Sequence, residues 1–289
     1  MNEESYVPLD FDTITYNHMK CSKCSNKPAY YIINIMAAML HLCNALIFTY
    51  FYIFNNKKDL VYGITSKYTT WIKYEDSFEI ITEETTVGHI SIHWLIFSFH
   101  MLSFVFQMAV LLPFYNYRMR IEKQAKNPLR FIEYSFSAPL MLVSIGLLCG
   151  ITDMCIIVQQ FSLTVVCMVC GAICEIINNS YVKNILHITA WVAIIVAYLP
   201  IFIYFYIANS EAAENDTDGA PNFVYVIVIV QFLLFQSFGC VQLIQIYGKN
   251  VDYIRYIGYE SELSYATLSL VSKTFLGWMI YSNVFLLGD

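Results

Sequence analysis

The feature that most constrains this 289-residue chain is a recurring apolar stretch, nearly free of charge and about 25 residues long. A membrane-spanning helix needs roughly 20 such residues. Windows of that length place seven of them, at 30–54, 91–115, 128–151, 154–177, 183–207, 223–247 and 263–287. Hydrophobic residues make up 58% of the chain against 13% charged, and the mean hydropathy is +0.54, so the charged surface of a soluble globule of this size is lacking. The expected fold is an all-α membrane protein. Seven helices consume most of the length, which leaves one bundle over residues 30–289, a tail at 1–29 and no separate soluble domain.

The tail opens with four acids, Glu3, Glu4, Asp10 and Asp12, and has neither the basic start nor the apolar core of a cleaved signal peptide. The first span is expected to act as its own insertion signal. The net charge of −6 is spread over several loops and suggests no nucleic-acid partner; membrane lipid is the expected surrounding. Basic residues orient such bundles. One side carries Lys20, Lys23, Lys27, Arg118, Arg120, Lys123, Lys126, Arg130, Lys183, Lys249 and Arg255; the other carries Lys57, Lys58, Lys67 and Lys73. Eleven against four predicts a cytoplasmic amino terminus and an outside carboxyl terminus. The longest outside loop, 55–90, alternates polar and apolar residues through Tyr68-Thr69-Thr70-Trp71-Ile72 and Phe78-Glu79-Ile80-Ile81-Thr82, which predicts a short β-hairpin. Asn215-Asp216-Thr217 forms an exposed sequon if the host glycosylates.

Lys273 stands near the middle of the last span. A lysine there costs about 2.5–3.5 kcal/mol on insertion scales, so it marks a functional site by default. Two arrangements offset that cost: an acid on another span, or conversion of the amine to an imine with a carbonyl ligand. Glu133 is the main candidate acid. Asn127 suits an N-cap and Pro128 the first helical position, so the third helix starts just before it. Glu133 and Ser137 share a face, and Ser269 lies one turn before Lys273. Spacing alone leaves open whether Glu133 partners Lys273 or is an interfacial acid favoured by the helix dipole.

Phe131-Ile132-Glu133-Tyr134-Ser135, Leu268-Ser269-Leu270-Val271-Ser272-Lys273 and the inverted seven-span topology together resemble the heliorhodopsins, across all seven spans. The resemblance implies a rhodopsin-like bundle in which all-trans retinal forms a protonated Schiff base on Lys273, with Glu133 as counterion and Ser269 as a hydrogen-bonding neighbour. It also implies a homodimer. His41 corresponds to a polar-cluster histidine of that family, and Ser103 and Gln107 share one face of the second span. The family usually has a histidine where Gln107 falls, so His41 is expected as the cluster's only protonatable imidazole; His100, a turn before Ser103, is not assigned to it. Tyr134, Met141, Trp191, Phe235, Phe238 and Gln245 are candidates to line a retinal slot, since such pockets are apolar and aromatic with a few polar groups. Phe238 and Trp191 are singled out by their place in the family's spans.

Other motifs point elsewhere. Cys21-Ser22-Lys23-Cys24 has the spacing of half a zinc site but no second half on its side, so free thiols are expected there and no metal. Cys167, Cys170 and Cys174 read as helix-packing residues, and Glu175 as an interfacial acid that could join a proton route. No P-loop, nucleotide-binding glycine cradle, Ser-His-Asp order or His-Glu-x-x-His supports an enzyme. An outward proton pump of the microbial type needs a second carboxylate about three turns after the counterion, where this chain has Ser144. The expected function is therefore light sensing, with an unknown signalling partner. The alternatives are a light-gated proton or cation path through His41, Ser103, Gln107, Glu133 and Glu175, and a membrane scaffold without chromophore.

Overall fold

The computed structural model describes residues 27–54, 60–73, 77–111, 127–247 and 251–286. In chain order these form α1 (Lys27–Phe54), β1 (Val61–Lys73), β2 (Phe78–Ser91), α2 (Ile92–Leu111), α3 (Pro128–Leu148), α4 (Met154–Ile176), α5 (Ser180–Glu214), α6 (Asn222–Tyr247) and α7 (Val251–Ile280). The last runs into a π-helical turn at Tyr281–Leu286. Cys21, Cys24, Lys57, Lys58, Arg118, Arg120, Lys123, Lys126 and Lys249 lie outside the described residues.

Helices α1 to α6 are long and apolar enough to cross a membrane. Helix α7 is the least apolar of the seven because serines, threonines and Lys273 interrupt it, and that polar face turns inward: Ser269, Ser272 and Lys273 are buried while Val271 is exposed. It also begins twelve residues before the expected start at 263, because the charged stretch around Glu262 is helical rather than loop. Outward, α5 presents Ile188, Val192, Ile195, Leu199 and Ile203, an apolar stripe suited to lipid and not to water.

Local chemistry sets the helix boundaries. Asn127 caps α3 as expected, its side chain accepting from the Arg130 N–H at 3.4 Å, with Pro128 in the first turn. Gly150, at φ +86°, ends α3 in the left-handed region, and Asp153 caps α4 by accepting from Cys155 N and Ile156 N. So short a connection forces α3 and α4 to run antiparallel as neighbours. Sequence neighbours pack side by side, and α7 closes the ring against α1. Helix α3 lies innermost: 72% of its span is buried, against 28–39% in the other five apolar spans.

The hairpin is longer than the short one expected. Its 13- and 14-residue strands pair antiparallel from Val61↔Ser91 to Lys73↔Phe78, with a bulge between Ile64 and Thr65, because Thr, Ile, Val and Tyr keep both strands in extended backbone. It docks on the α3–α4 connection. Ile64 packs on Val143 and Leu147, and Thr65 N donates to Thr152 O at 2.9 Å. Asn215 caps the carboxyl end of α5 and is exposed.

Candidate functional site

Lys273 and Glu133 meet inside the bundle, their side chains 3% and 5% exposed. Lys273 Nζ donates to Glu133 Oε1, to Ser103 Oγ at 2.5 Å and to Ser269 Oγ at 3.0 Å. Ser103 Oγ in turn lies 2.6 Å from Glu133 Oε1, and Ser137 Oγ donates to the same oxygen at 3.3 Å. The depth difference between the two charges is bridged by the lysine stem, which leans back one turn toward Ser269 and the amino end of α7. Tyr134 covers the pair, its ring 5.2 Å from Nζ and its hydroxyl donating to Tyr265 O at 3.1 Å. Gln231 donates to Ser272 O at 2.7 Å and ties α6 to the same turn of α7.

Lys273 forms one wall of a cavity bounded by α3, α4, α5, α6 and α7 and lined almost entirely by apolar surface, the character expected of a small-molecule site. Of the slot candidates, Tyr134, Met141, Trp191, Phe235 and Phe238 line it, together with Ser137 and Ser269. Gln245 does not. Three residues past the inward-facing Gln242, it falls on the α7 side of α6 and accepts from Tyr265 Oη at 3.1 Å. Glu133 does not line the cavity itself but bonds two residues that do, Lys273 and Ser137.

The sequence reading missed a polar chain in the wall. Trp191 Nε1 donates to His187 Nε2 at 2.9 Å, which leaves the proton on Nδ1 to donate to Gln242 Oε1 at 3.2 Å; Gln242 Nε2 donates to Gly171 O at 2.9 Å. The i, i+4 spacing of His187 and Trp191 was the available signal.

The expected cluster of His41, Ser103 and Gln107 is split three ways. His41 pairs with His100, Nδ1 to Nδ1 at 2.9 Å, so His41 is not the only imidazole and His100 faces inward. Gly277 makes room for this: a Cβ there would stand 2.9 Å from His100 Nε2. Ser103 belongs to the Lys273–Glu133 group, while Gln107 faces a second, polar cavity of about 360 Å³ shared with Glu133, Asn127, Arg130 and Glu262. His100, Ser103 and Gln107 recur at i, i+3, i+7 on α2 and are all buried, a stripe visible in the sequence.

Arg130, counted as a loop charge, is buried instead. Its two terminal nitrogens donate to Glu262 Oε1 and Glu175 Oε1, and its guanidinium lies 3.8 Å from the centre of the Tyr265 ring. Glu175, next to the last residue of α4, is likewise buried against protein, with a side chain 9% exposed. Asn127 completes the group: Nδ2 donates to Glu262 Oε2 at 2.8 Å and the backbone N to Glu175 Oε2 at 3.2 Å. One guanidinium thus faces two carboxylates, with the amino end of α3 supplying further positive potential. Cys170 and Cys174 are buried as expected, while Cys167 lines the main cavity.

A ring of seven helices with a lysine buried in the last, opposed by a carboxylate from the innermost, defines a rhodopsin-type membrane protein. Solved structures share the architecture. The chain is similar to cyanorhodopsin from the cyanobacterium Tolypothrix sp. NIES-4075, with TM-score 0.59 and 12% identity over 89% of this chain and 94% of that one. It is also similar to the light-driven proton pump LR (Mac) from Leptosphaeria maculans, with TM-score 0.54 and 13% identity over 90% and 96%. At such identities the likeness is of fold alone. The chain belongs to the heliorhodopsin family, whose model matches residues 31–285. No curated protein sequence matches it. Membership supports a retinal-binding, light-responsive membrane protein, and the donor set fits that group: an apolar, aromatic cavity with a single amine in its wall.

Proposed function

We propose that this chain is a light sensor that holds all-trans retinal on Lys273 as a protonated Schiff base, with Glu133 as counterion. The observation that carries the reading is the buried group of Lys273, Glu133, Ser103 and Ser269 in the wall of an apolar cavity. When bound, retinal supplies light absorption and a double-bond isomerisation. Glu133 balances the positive charge at Lys273 Nζ, and Ser103 bridges the two, so a small displacement of Nζ exchanges one hydrogen-bond partner for another. An imine nitrogen keeps a single N–H, so Ser269 on the same helix, like Ser103, is an alternative acceptor to Glu133. Trp191, Phe238 and Met141 exclude water and confine an elongated ligand. The Arg130 group clamps α3, α4 and α7 together at one end of the bundle, so it is the element through which motion of α7 would reach the surface. Ser144, three turns after Glu133, is occupied with Leu140 O at 2.8 Å and offers no carboxylate to return a proton. A homodimer and a separate signalling partner belong to the same proposal.

The polar cavity between Glu133 and Arg130–Glu262 favours a second reading, a light-gated proton or cation path. The chain expressed with all-trans retinal is expected to show a visible band that hydroxylamine bleaches in light and that Lys273→Ala lacks. Whole-cell recording then separates the readings. A slow photocycle without current supports the sensor, whereas photocurrent abolished by Lys273→Ala replaces it with the path. A colourless product with added retinal overturns both.

A further inference from the structure

Leaving aside the weakly polar Cys167 thiol, every polar side chain in the wall of the main cavity is accounted for within the protein, with one exception. Tyr134 bonds Tyr265 O, Ser137 bonds Glu133, His187, Trp191 and Gln242 bond one another and Gly171 O, Tyr265 bonds Gln245, and Ser269 and Ser272 bond within α7. Gln236 lines the same cavity, yet among the described residues neither its Oε1 nor its Nε2 has a hydrogen-bond partner, and both atoms are sealed from the surroundings. A buried amide without a partner beside an apolar cavity is unfavourable.

The position of Gln236 suggests what it awaits. On α6 it is flanked by Phe235, whose ring lies 5.6 Å from Tyr198 of α5, and by Gly239, where a Cβ would stand 2.9 Å from the Trp191 indole. Gln236 therefore belongs to the part of the wall turned toward α5. Lys273, on α7, is the attachment point. A retinoid joined at Lys273 has its aldehyde carbon committed there and its ring at the opposite end of the polyene. Retinal itself carries only carbon and hydrogen on that ring and leaves the amide unpaired. A ring hydroxyl satisfies both atoms, accepting from Nε2 and donating to Oε1.

We propose that Gln236 is a specificity residue that recognises a hydroxyl on the ring of the chromophore, so that the cavity prefers a ring-hydroxylated retinal to retinal. This rests on Lys273 as the site of attachment. A site built to pair a ligand hydroxyl discriminates strongly against the analogue that lacks it.

The test is competition. Chromophore-free protein is incubated in the dark with equal amounts of all-trans retinal and all-trans 3-hydroxyretinal, freed of excess, and the bound chromophores are extracted and quantified. The expected result is an enrichment of the hydroxylated form of about tenfold or more, falling to near parity in Gln236→Leu. Equal uptake by the unsubstituted protein overturns the proposal, and is also what a water on Gln236 would give. An enrichment that survives Gln236→Leu overturns the assignment to that residue. Absence of any visible band with either aldehyde, or a band that persists in Lys273→Ala, instead strikes at the attachment and takes this proposal with it.

Discussion

At the scale of single residues the molecule is organised by two buried groups of different charge balance. Around Lys273 one cation meets one carboxylate and three hydroxyls; around Arg130 one cation meets two carboxylates. Truncating one member of a buried pair leaves an uncompensated charge, typically at about 3–5 kcal/mol. Glu133→Gln is therefore expected to destabilise the protein and to shift the absorption maximum of the pigment, because the cation then faces a neutral amide. Ser103→Ala should shift it less, since the carboxylate remains. A spectrum and pH titration unchanged in Glu133→Gln would remove that residue from the counterion role. Arg130→Met strands Glu175 and Glu262 together, and is expected to lower thermal stability in detergent by about 3–5 kcal/mol. Replacing both acids by glutamine in the same chain should restore much of the loss. Arg130→Lys should not, because an ammonium cannot serve two carboxylates and stack on Tyr265 as the flat guanidinium does.

At the scale of elements, the hairpin is held by a few contacts that can be weighed separately. Ile64 is 6% exposed, and Ile64→Ala is expected to loosen docking on Val143 and Leu147 by about 2–4 kcal/mol, read as faster hydrogen exchange in the strands. Burial, with a smaller contribution from Cys149 nearby, pushes the Tyr62 phenol up to about 12. A group raised above its ordinary value near 10 stabilises the docked hairpin fully below about pH 10 and progressively loses that effect between there and 12. The tyrosinate absorbance of the unsubstituted protein should thus show a late-titrating phenol that Tyr62→Phe lacks. The helices themselves were legible because an apolar run of bilayer length has few other ways to satisfy its backbone. The Lys273–Glu133 pairing came from motif resemblance, since spacing alone left Glu133 undecided. Three features were not legible. The early start of α7 was hidden because Glu262 looks like loop charge until Arg130 is seen to neutralise it. His100 was hidden because a lone histidine on an apolar helix gives no sign of the residue it faces. Gln245 was misplaced because one turn of a helix apolar all round moves a residue from cavity to seam without changing the pattern.

At the scale of the whole molecule, one end of the bundle gathers the hairpin, the α3–α4 connection and the α5–α6 connection with Asn215; the other gathers the amino ends of α3 and α7 and the Arg130 group. The charge count sets these ends on opposite sides of the membrane. Arg130 turns inward and drops out of it, which leaves ten basic residues against four, with Lys67 and Lys73 exposed on the hairpin. That margin still predicts a cytoplasmic amino terminus. A protease site inserted at 215–219 should be cut by enzyme added to intact cells, and an amino-terminal tag should be reached only after permeabilisation. The orientation has a functional consequence, because the polar cavity that joins Glu133 to Glu262 lies toward the amino end of α3. If the amino terminus is inside, any proton displaced from Glu133 into that cavity moves toward the cytoplasm. A tag accessible on intact cells would reverse both the assignment of sides and the direction of that movement.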